Sequence, residues 1–408
     1  MSAAGPRTTG AGSPPRASRL AVAATFAANG SLFGSWTPRI PEVKAALGLS
    51  DGVLGLTLLA PGVGSLVTLP LTGWVAARWG SGRTTRVAVV LLVASALPIA
   101  LAGGAATLGA ALFGFGMAMG GLDALMNAQG VTVERAYGRS LLASFHALFS
   151  LGALAGAVVG SLAAAREVPL LGQFVVLGAV SLAVVLPLSS AFLPDPPVPE
   201  DAPPAPVIAL PRGPLVPLAV AAFAVLLAEG ATADWSAVLL RESFGAEAVA
   251  AGAAFAAFSA TMTLGRIVGD RVLTRLGRRR AIRWFAGCGA AGLAAGLAFA
   301  GASGPGPAAT VGAVSGFALL GAGISVVFPA LIAEAGRTGV RAAPAVAAVS
   351  TGGYVGFLVG PSAIGGLAQL TALPVAVWFI VLIAAVPCLC VPSRAAAGGV
   401  ARRPRPAP

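Results

Sequence analysis

From Arg19 to Val391 the chain is a succession of long apolar runs, broken at fairly even intervals by short clusters of Gly, Pro and Arg. Crossing roughly 30 Å of hydrocarbon takes about 20 apolar residues in a helix. Twelve runs meet that length, near 18–37, 52–76, 84–103, 106–129, 141–164, 168–191, 214–240, 247–268, 281–302, 307–333, 342–367 and 372–393. The shortest breaks, at 103–106 and 302–307, are glycine-rich, and dividing the chain there keeps the count even. Strict apolar–polar alternation is absent, which argues against an outer-membrane barrel. The first run has no small-residue cleavage site behind a short apolar core, so it is expected to stay as a helix rather than be removed as a leader.

The polar punctuation repeats. Ser150, Gly152, Gly156 and Gly160 recur 200 residues later as Ser350, Gly352, Gly356 and Gly360. Arg78-Trp79-Gly80 recurs as Arg275-Leu276-Gly277, Trp36 as Trp235, and Glu134 as Glu334. A period near half the chain length means two related halves in tandem. The expected organisation is a tail at 1–17, a six-helix bundle at 18–192, a Pro-rich linker at 193–213, a second six-helix bundle at 214–393 and a tail at 394–408. The glycine stripes are small-xxx-small packing faces, expected to slide as the halves rock.

Composition makes lipid the solvent. Hydrophobic residues are 57% of the chain, charged residues 10%, and the mean hydropathy is +0.89; a soluble domain carries about 25% charged residues. If both termini are cytoplasmic, all but four of the 26 Lys+Arg lie inside, the exceptions being Arg39, Lys44, Arg166 and Arg241. That bias follows the positive-inside rule. It also explains the net charge of +12 without a nucleic-acid partner, since the arginines are scattered over many loops. Arginine preference and alanine richness fit a GC-rich bacterial source. Cys288, Cys388 and Cys390 fall within runs, with no CxxC, and one histidine leaves nothing for a catalytic metal. No cofactor and no enzymatic activity are expected.

Six spans, a linker and six related spans resemble the major facilitator superfamily. The segment Gly73-Trp-Val-Ala-Ala-Arg78-Trp-Gly80-Ser-Gly-Arg83 is similar to that family's G-x-x-x-D-R-x-G-R signature, with Ala77 where the aspartate usually stands. The second-half counterpart is Gly269-Asp270-Arg271 followed by Arg275-Leu-Gly277-Arg278. The resemblance implies a gating clasp involving Arg78, Arg275, Asp270 and Arg271; topology alone accounts for these arginines equally well. Asp123-Ala-Leu-Met-Asn127 in span 4 and Ser325-Val-Val-Phe328-Pro329 in span 10 resemble the fucose-permease-like sugar:proton symporters. There the acid is a proton-coupling carboxylate.

Ionisable groups inside spans are expensive and functional by default. Asp123 shares a small, polar face with Gly116, Gly120 and Asn127. His146, about 8 Å along span 5, is placed to meet Asp123 as a proton relay or to cap its own helix end. Glu229 in span 7, with Thr232 on the same side, is a second carboxylate candidate. Asp234, further round that helix, is expected to pair with Arg39 as an outer latch or a plain salt bridge. Asn29, Phe33 and Trp36 form one stripe of span 1 that either lines a sugar site or packs. The resemblance adds Asn127, Ser325 and Phe328 as substrate contacts.

These residues describe a monomeric, all-α inner-membrane transporter with twelve spans in two pseudo-symmetric bundles. It is expected to move a small polar, sugar-like solute by proton-coupled symport, with both termini cytoplasmic. A proton-antiport exporter of drugs or metabolites and a non-transporting solute receptor are the rival readings.

Overall fold

The computed structural model describes residues 16–138, 141–195, 210–335, 337 and 342–391, and every regular element among them is helical. In chain order these are α1 (Arg16–Trp36), α2 (Ile40–Ala46), α3 (Asp51–Trp79), α4 (Ser81–Ala100), α5 (Ala105–Tyr137), α6 (Leu142–Ala165), α7 (Leu170–Leu188), α8 (Leu215–Ser243), α9 (Ala248–Leu276), α10 (Arg278–Ser303), α11 (Pro307–Ile324), α12 (Val327–Ala335), α13 (Ala342–Leu370), α14 (Leu373–Ala376) and α15 (Trp378–Cys390). The twelve spans correspond to α1, α3 to α10, α11 with α12, α13, and α14 with α15. Among the described residues, ten are long and apolar enough to cross a membrane by length and composition. Of the other two, α1 is diluted by Thr25, Asn29, Ser31 and Ser35, and α13 begins with side chains outside the described residues.

Local chemistry sets the breaks. Gly80 and Gly277 take φ of +80° and +75°, values that L side chains rarely adopt, and each joins two long helices with no other residue between them. This explains why Arg-Trp-Gly and Arg-Leu-Gly recur. Span 10 is interrupted at Ser325–Val326 because Pro329 has no N–H for the carbonyl of Ser325, four residues back. Its repeat counterpart α5 runs unbroken for 33 residues.

Within each half the same pair of helices packs closest, α1 on α6 and α8 on α13. Gly152, Gly156 and Gly160 lie against the backbone of Ala27, Ser31 and Ser35; Gly352, Gly356 and Gly360 lie against Ala219, Phe223 and Leu227. A methyl on Gly352 or Gly360 would stand 2.8 Å from a carbonyl oxygen of α8. The stripes therefore lock each half internally. The expectation that they slide between the halves is corrected: helices this close at backbone level leave no room for a register shift.

The halves meet through α3 against α13 and α6 against α9, with α2 reaching α8. Along α3, positions 52, 55 and 62 touch Gln369, Gly365 and Leu358. These contacts lie in the first half of α3, toward the end of the bundle that carries α2. Further along α3, Gly73 has nothing within 4 Å of its would-be side chain. The bundle is closed at its α2 end. Most of the Pro-rich linker, 196–209, lies outside the described residues, as do both tails from 1 to 15 and from 392 to 408.

Candidate functional site

A cavity of about 140 Å³ lies between the halves, lined by residues of α1, α5, α6, α8, α9 and α13. Five phenylalanines, Phe33, Phe149, Phe255, Phe258 and Phe357, make most of its wall. Four of them form a continuous belt across the halves. Phe149 stacks on Phe33 at 6.4 Å, Phe33 meets Phe255 edge-on at 6.3 Å, and Phe255 stacks on Phe258 at 6.3 Å.

From the charged residues of the wall, Glu229 and Arg266, a chain of polar contacts crosses from one half to the other. Arg266 of α9 lies 3.5 Å from Glu229 of α8 and donates to Ser150 Oγ of α6 at 3.2 Å. Ser150 in turn donates to the carbonyl of His146, one turn earlier on α6. His146 Nε2 is 3.1 Å from Asn127 Oδ1, and Asn127 Nδ2 donates to the Asp123 carbonyl at 2.8 Å. Since the amide nitrogen is engaged on Asp123, the oxygen faces the imidazole, whose Nε2 then carries the proton. Asp123 and His146 do not meet directly as expected; Asn127, one turn from Asp123, occupies the space between them.

The α2 end is held by a second set. Lys44, whose side chain is 9% exposed, reaches Asp51 at 2.6 Å in its own half and Glu242 at 2.5 Å in the other. Gly52 N–H donates to Gln369 Oε1 at 3.2 Å. Burial opposes the charge on Lys44, but the two carboxylates outweigh it and its pKa is raised. Gly55 and Gly365 meet backbone to backbone: a methyl on Gly55 would lie 2.9 Å from Gly365 Cα.

The expected outer pair of Asp234 with Arg39 is absent. The 3₁₀ turn Thr37–Arg39 ends α1 and aims Arg39 within its own half, at Glu42 (2.7 Å), Gln173 Oε1 (2.9 Å) and the Val168 carbonyl (3.0 Å). The latch is Lys44, not Arg39. Among the substrate candidates, Phe33 lines the cavity. Asn29 is buried, with Nδ2 on Met126 Sδ at 3.6 Å and Oδ1 unpartnered. Trp36 is 3% exposed and packed in the core. Thr232 and Ser325 bond the carbonyls of Ala228 and Ala322 in their own spans, and Phe328 packs beside Gly353. Arg78, Arg271 and Arg275 are exposed at the linker end, with no bond crossing the halves among the described residues; the side chain of Asp270 lies outside them.

Arg266 and Lys44 carry the geometry, yet sequence reasoning set both aside as topology. For Arg266 the reason is where the span ends. The sequence reading ends its span at 268, two residues on; α9 in fact runs to Leu276, which sets Arg266 roughly 15 Å inside at 1.5 Å per residue. Phe33 was named from the sequence; Phe149, Phe255 and Phe258 were not.

A sequence profile of the Major Facilitator Superfamily matches residues 21–338. An uncharacterized MFS-type transporter of Yersinia pestis is 37% identical over 352 residues, covering 86% of this chain and 88% of its own length. Among solved structures, a mutant of the nucleoside transporter NupG aligns with a TM-score of 0.73 at 15% identity, covering 92% of this chain and 98% of its own. A bacterial homolog of the human lysosomal transporter Spinster, in an inward-facing and occupied conformation, aligns at 0.69 and 14% identity, over 93% and 97% of the two chains.

Proposed function

We propose, from the premise that this chain belongs to the Major Facilitator Superfamily, that it carries a small solute across the bacterial inner membrane by proton-coupled alternating access. Membership makes it a multi-pass membrane transporter; coupling, orientation and solute are our reading. The observation that carries it is the polar chain from Glu229 through Arg266 and Ser150 to His146, Asn127 and Asp123. Such groups are costly inside a membrane and are retained where ions or protons move.

The arginine distribution supports placing the α2 end outside and both termini, with the linker, inside. The conformation is then inward-facing, with the 18–192 and 214–393 bundles rocking about the cavity. Asp123 lies on the linker-end side of the belt, with His146 exposed to the gap between the halves. A proton taken up at Asp123 neutralises a carboxyl one turn from Asn127, whose side-chain oxygen accepts from His146 Nε2. Each proton entering down a potential of 100 mV contributes about 2.3 kcal/mol.

The sugar-like solute of the sequence reading draws little support from this wall. Asn29, Thr232 and Ser325 are turned to their own helices or neighbours, and phenylalanine supplies most of the lining. Proton antiport remains the second reading, favoured by the same carboxylates acting in the opposite direction.

The test is solute-driven proton movement in proteoliposomes. Asp123→Asn is expected to keep solute binding while abolishing the accompanying pH change. Proton movement unaltered in that variant removes Asp123 from the coupling step.

A further inference from the structure

We infer that the cavity takes a small zwitterion, an ammonium and a carboxylate carried on one compact apolar body. This rests on the transport reading for why the cavity exists, and it supplies the substrate class that reading leaves open.

Size comes first. A closed cavity near 150 Å³ accommodates a body the size of benzene, and this one measures about 140 Å³. The part of an occupant held between the rings is therefore about that size, and the rest extends through the open side. The surrounding phenylalanines and Met119 and Met262 ask for an apolar surface over most of that body.

Charge decides the rest. Glu229 and Arg266 stand on the wall with their nearest atoms 3.5 Å apart, outside good hydrogen-bond distance. Both are only partly shielded, at 24% and 27% exposure. Arg266 has five N–H donors, and the hydrogen bond given for it goes to Ser150. The two groups are thus close enough to balance each other and too far apart to satisfy each other.

A lone ammonium drawn to Glu229 would leave Arg266 with a hydroxyl and add a net positive charge. A lone carboxylate on Arg266 would strand Glu229 and add a negative one. In a site walled by rings, either excess charge is poorly compensated. A zwitterion adds none. Its carboxylate matches the guanidinium fork, and its ammonium takes the free carboxylate oxygen of Glu229 with phenylalanine faces around it. A neutral polyol would place its hydroxyls against phenylalanine and leave both charged groups as they are.

The experiment is equilibrium binding to the purified full chain in detergent, by titration calorimetry. Four probes share an isobutyl body: leucine, 3-methylbutan-1-amine, 4-methylpentanoate and 3-methylbutan-1-ol. Leucine is expected to bind at least tenfold more tightly than each of the others. Arg266→Gln and Glu229→Gln are each expected to erase that preference; the probe series decides the matter with the unaltered protein should either variant fail to fold. Equal binding of the amine, the carboxylate or the alcohol overturns the assignment, as does binding of none. Leucine binding without uptake in proteoliposomes would sink the transport reading and leave the zwitterion site standing. Proton-coupled uptake of a different class of solute would do the reverse.

Discussion

At the α2 end, Lys44 of one half reaches Glu242 of the other at 2.5 Å, and Gly52 N–H meets Gln369 at 3.2 Å. At the linker end the comparable polar groups bond inside their own halves. Asp195 caps the start of α4 at Ser81 N–H, and Gln129 Nε2 holds Ser81 Oγ at 2.6 Å and the Leu193 carbonyl at 2.9 Å. Arg86 bonds the Ser189 carbonyl, Glu134 accepts from the first N–H groups of α6, and Arg279 pairs with Glu334. One end joins the halves and the other stiffens each separately. Two rigid bodies pinned at one end by a few contacts can exchange which end is pinned without repacking either interior.

The most severe way to break this asymmetry is to fill the glycine contact. In Gly55→Leu the new side chain would enter the space held by Gly365 and the Pro361 carbonyl, which belong to backbone. Overpacking of this kind costs about 1–3 kcal/mol or more. Because Gly55 faces the other half, the cost falls on closure and not on the fold. Transport is expected to fall at least tenfold while thermal stability in detergent changes little; spin labels on the two halves at the α2 end are expected to move apart.

Next in size is the charged pair at the cavity. Arg266→Gln leaves Glu229 without its counter-charge and Ser150 without its donor across the halves. The loss of one partner from a half-shielded pair is worth about 1–3 kcal/mol, so solute affinity is expected to drop roughly ten- to a hundredfold. Ser150→Ala, which removes the cross-half hydrogen bond and the one to the His146 carbonyl but leaves the charge on Arg266, is expected to cost about 1 kcal/mol. An equal effect from both variants would mean that the charge on Arg266 is idle.

The Lys44 clasp is weaker because Glu242 is 36% exposed. Lys44→Ala is expected to shift the equilibrium toward opening at the α2 end by about 1 kcal/mol, after discounting for solvent screening. Raised cysteine accessibility near Gln369 would register it. The same clasp has a pH signature. With the pKa of Lys44 raised above 10.5, its contribution is fully present below pH 10.5 and is lost as pH climbs through the higher folded value. Opening driven by alkali in the unaltered chain, and missing in Lys44→Arg, is the smallest of these effects.

Much of the scaffold was legible from hydrophobicity and repetition, because a lipid-facing helix must be apolar along its length and must satisfy its own backbone. The breaks at 103–106 and 302–307 fall where α4 gives way to α5 and α10 to α11. Glu229 and Asp123 could be picked out as acids inside spans. Their partners could not, since a partner depends on how helices turn toward each other. Arg39 illustrates the point: its 3₁₀ turn rotates it onto Gln173 and Val168, away from α8. Of the belt, only Phe33 was picked out from the sequence, and Phe149, Phe255 and Phe258 were missed for a different reason. Their spacing is what packing residues show, and only the convergence of α1, α6 and α9 makes them one surface.

The central claim is that the cavity opens to the linker side while the α2 end is shut, and it can be tested without knowing the solute. With Cys288, Cys388 and Cys390 replaced by serine, Met119→Cys puts a single thiol on the cavity wall. A membrane-impermeant maleimide is then applied to inside-out and to right-side-out vesicles. Labelling at least tenfold faster in the inside-out vesicles is the expected result. Equal rates, or faster labelling from the outside, would contradict the account.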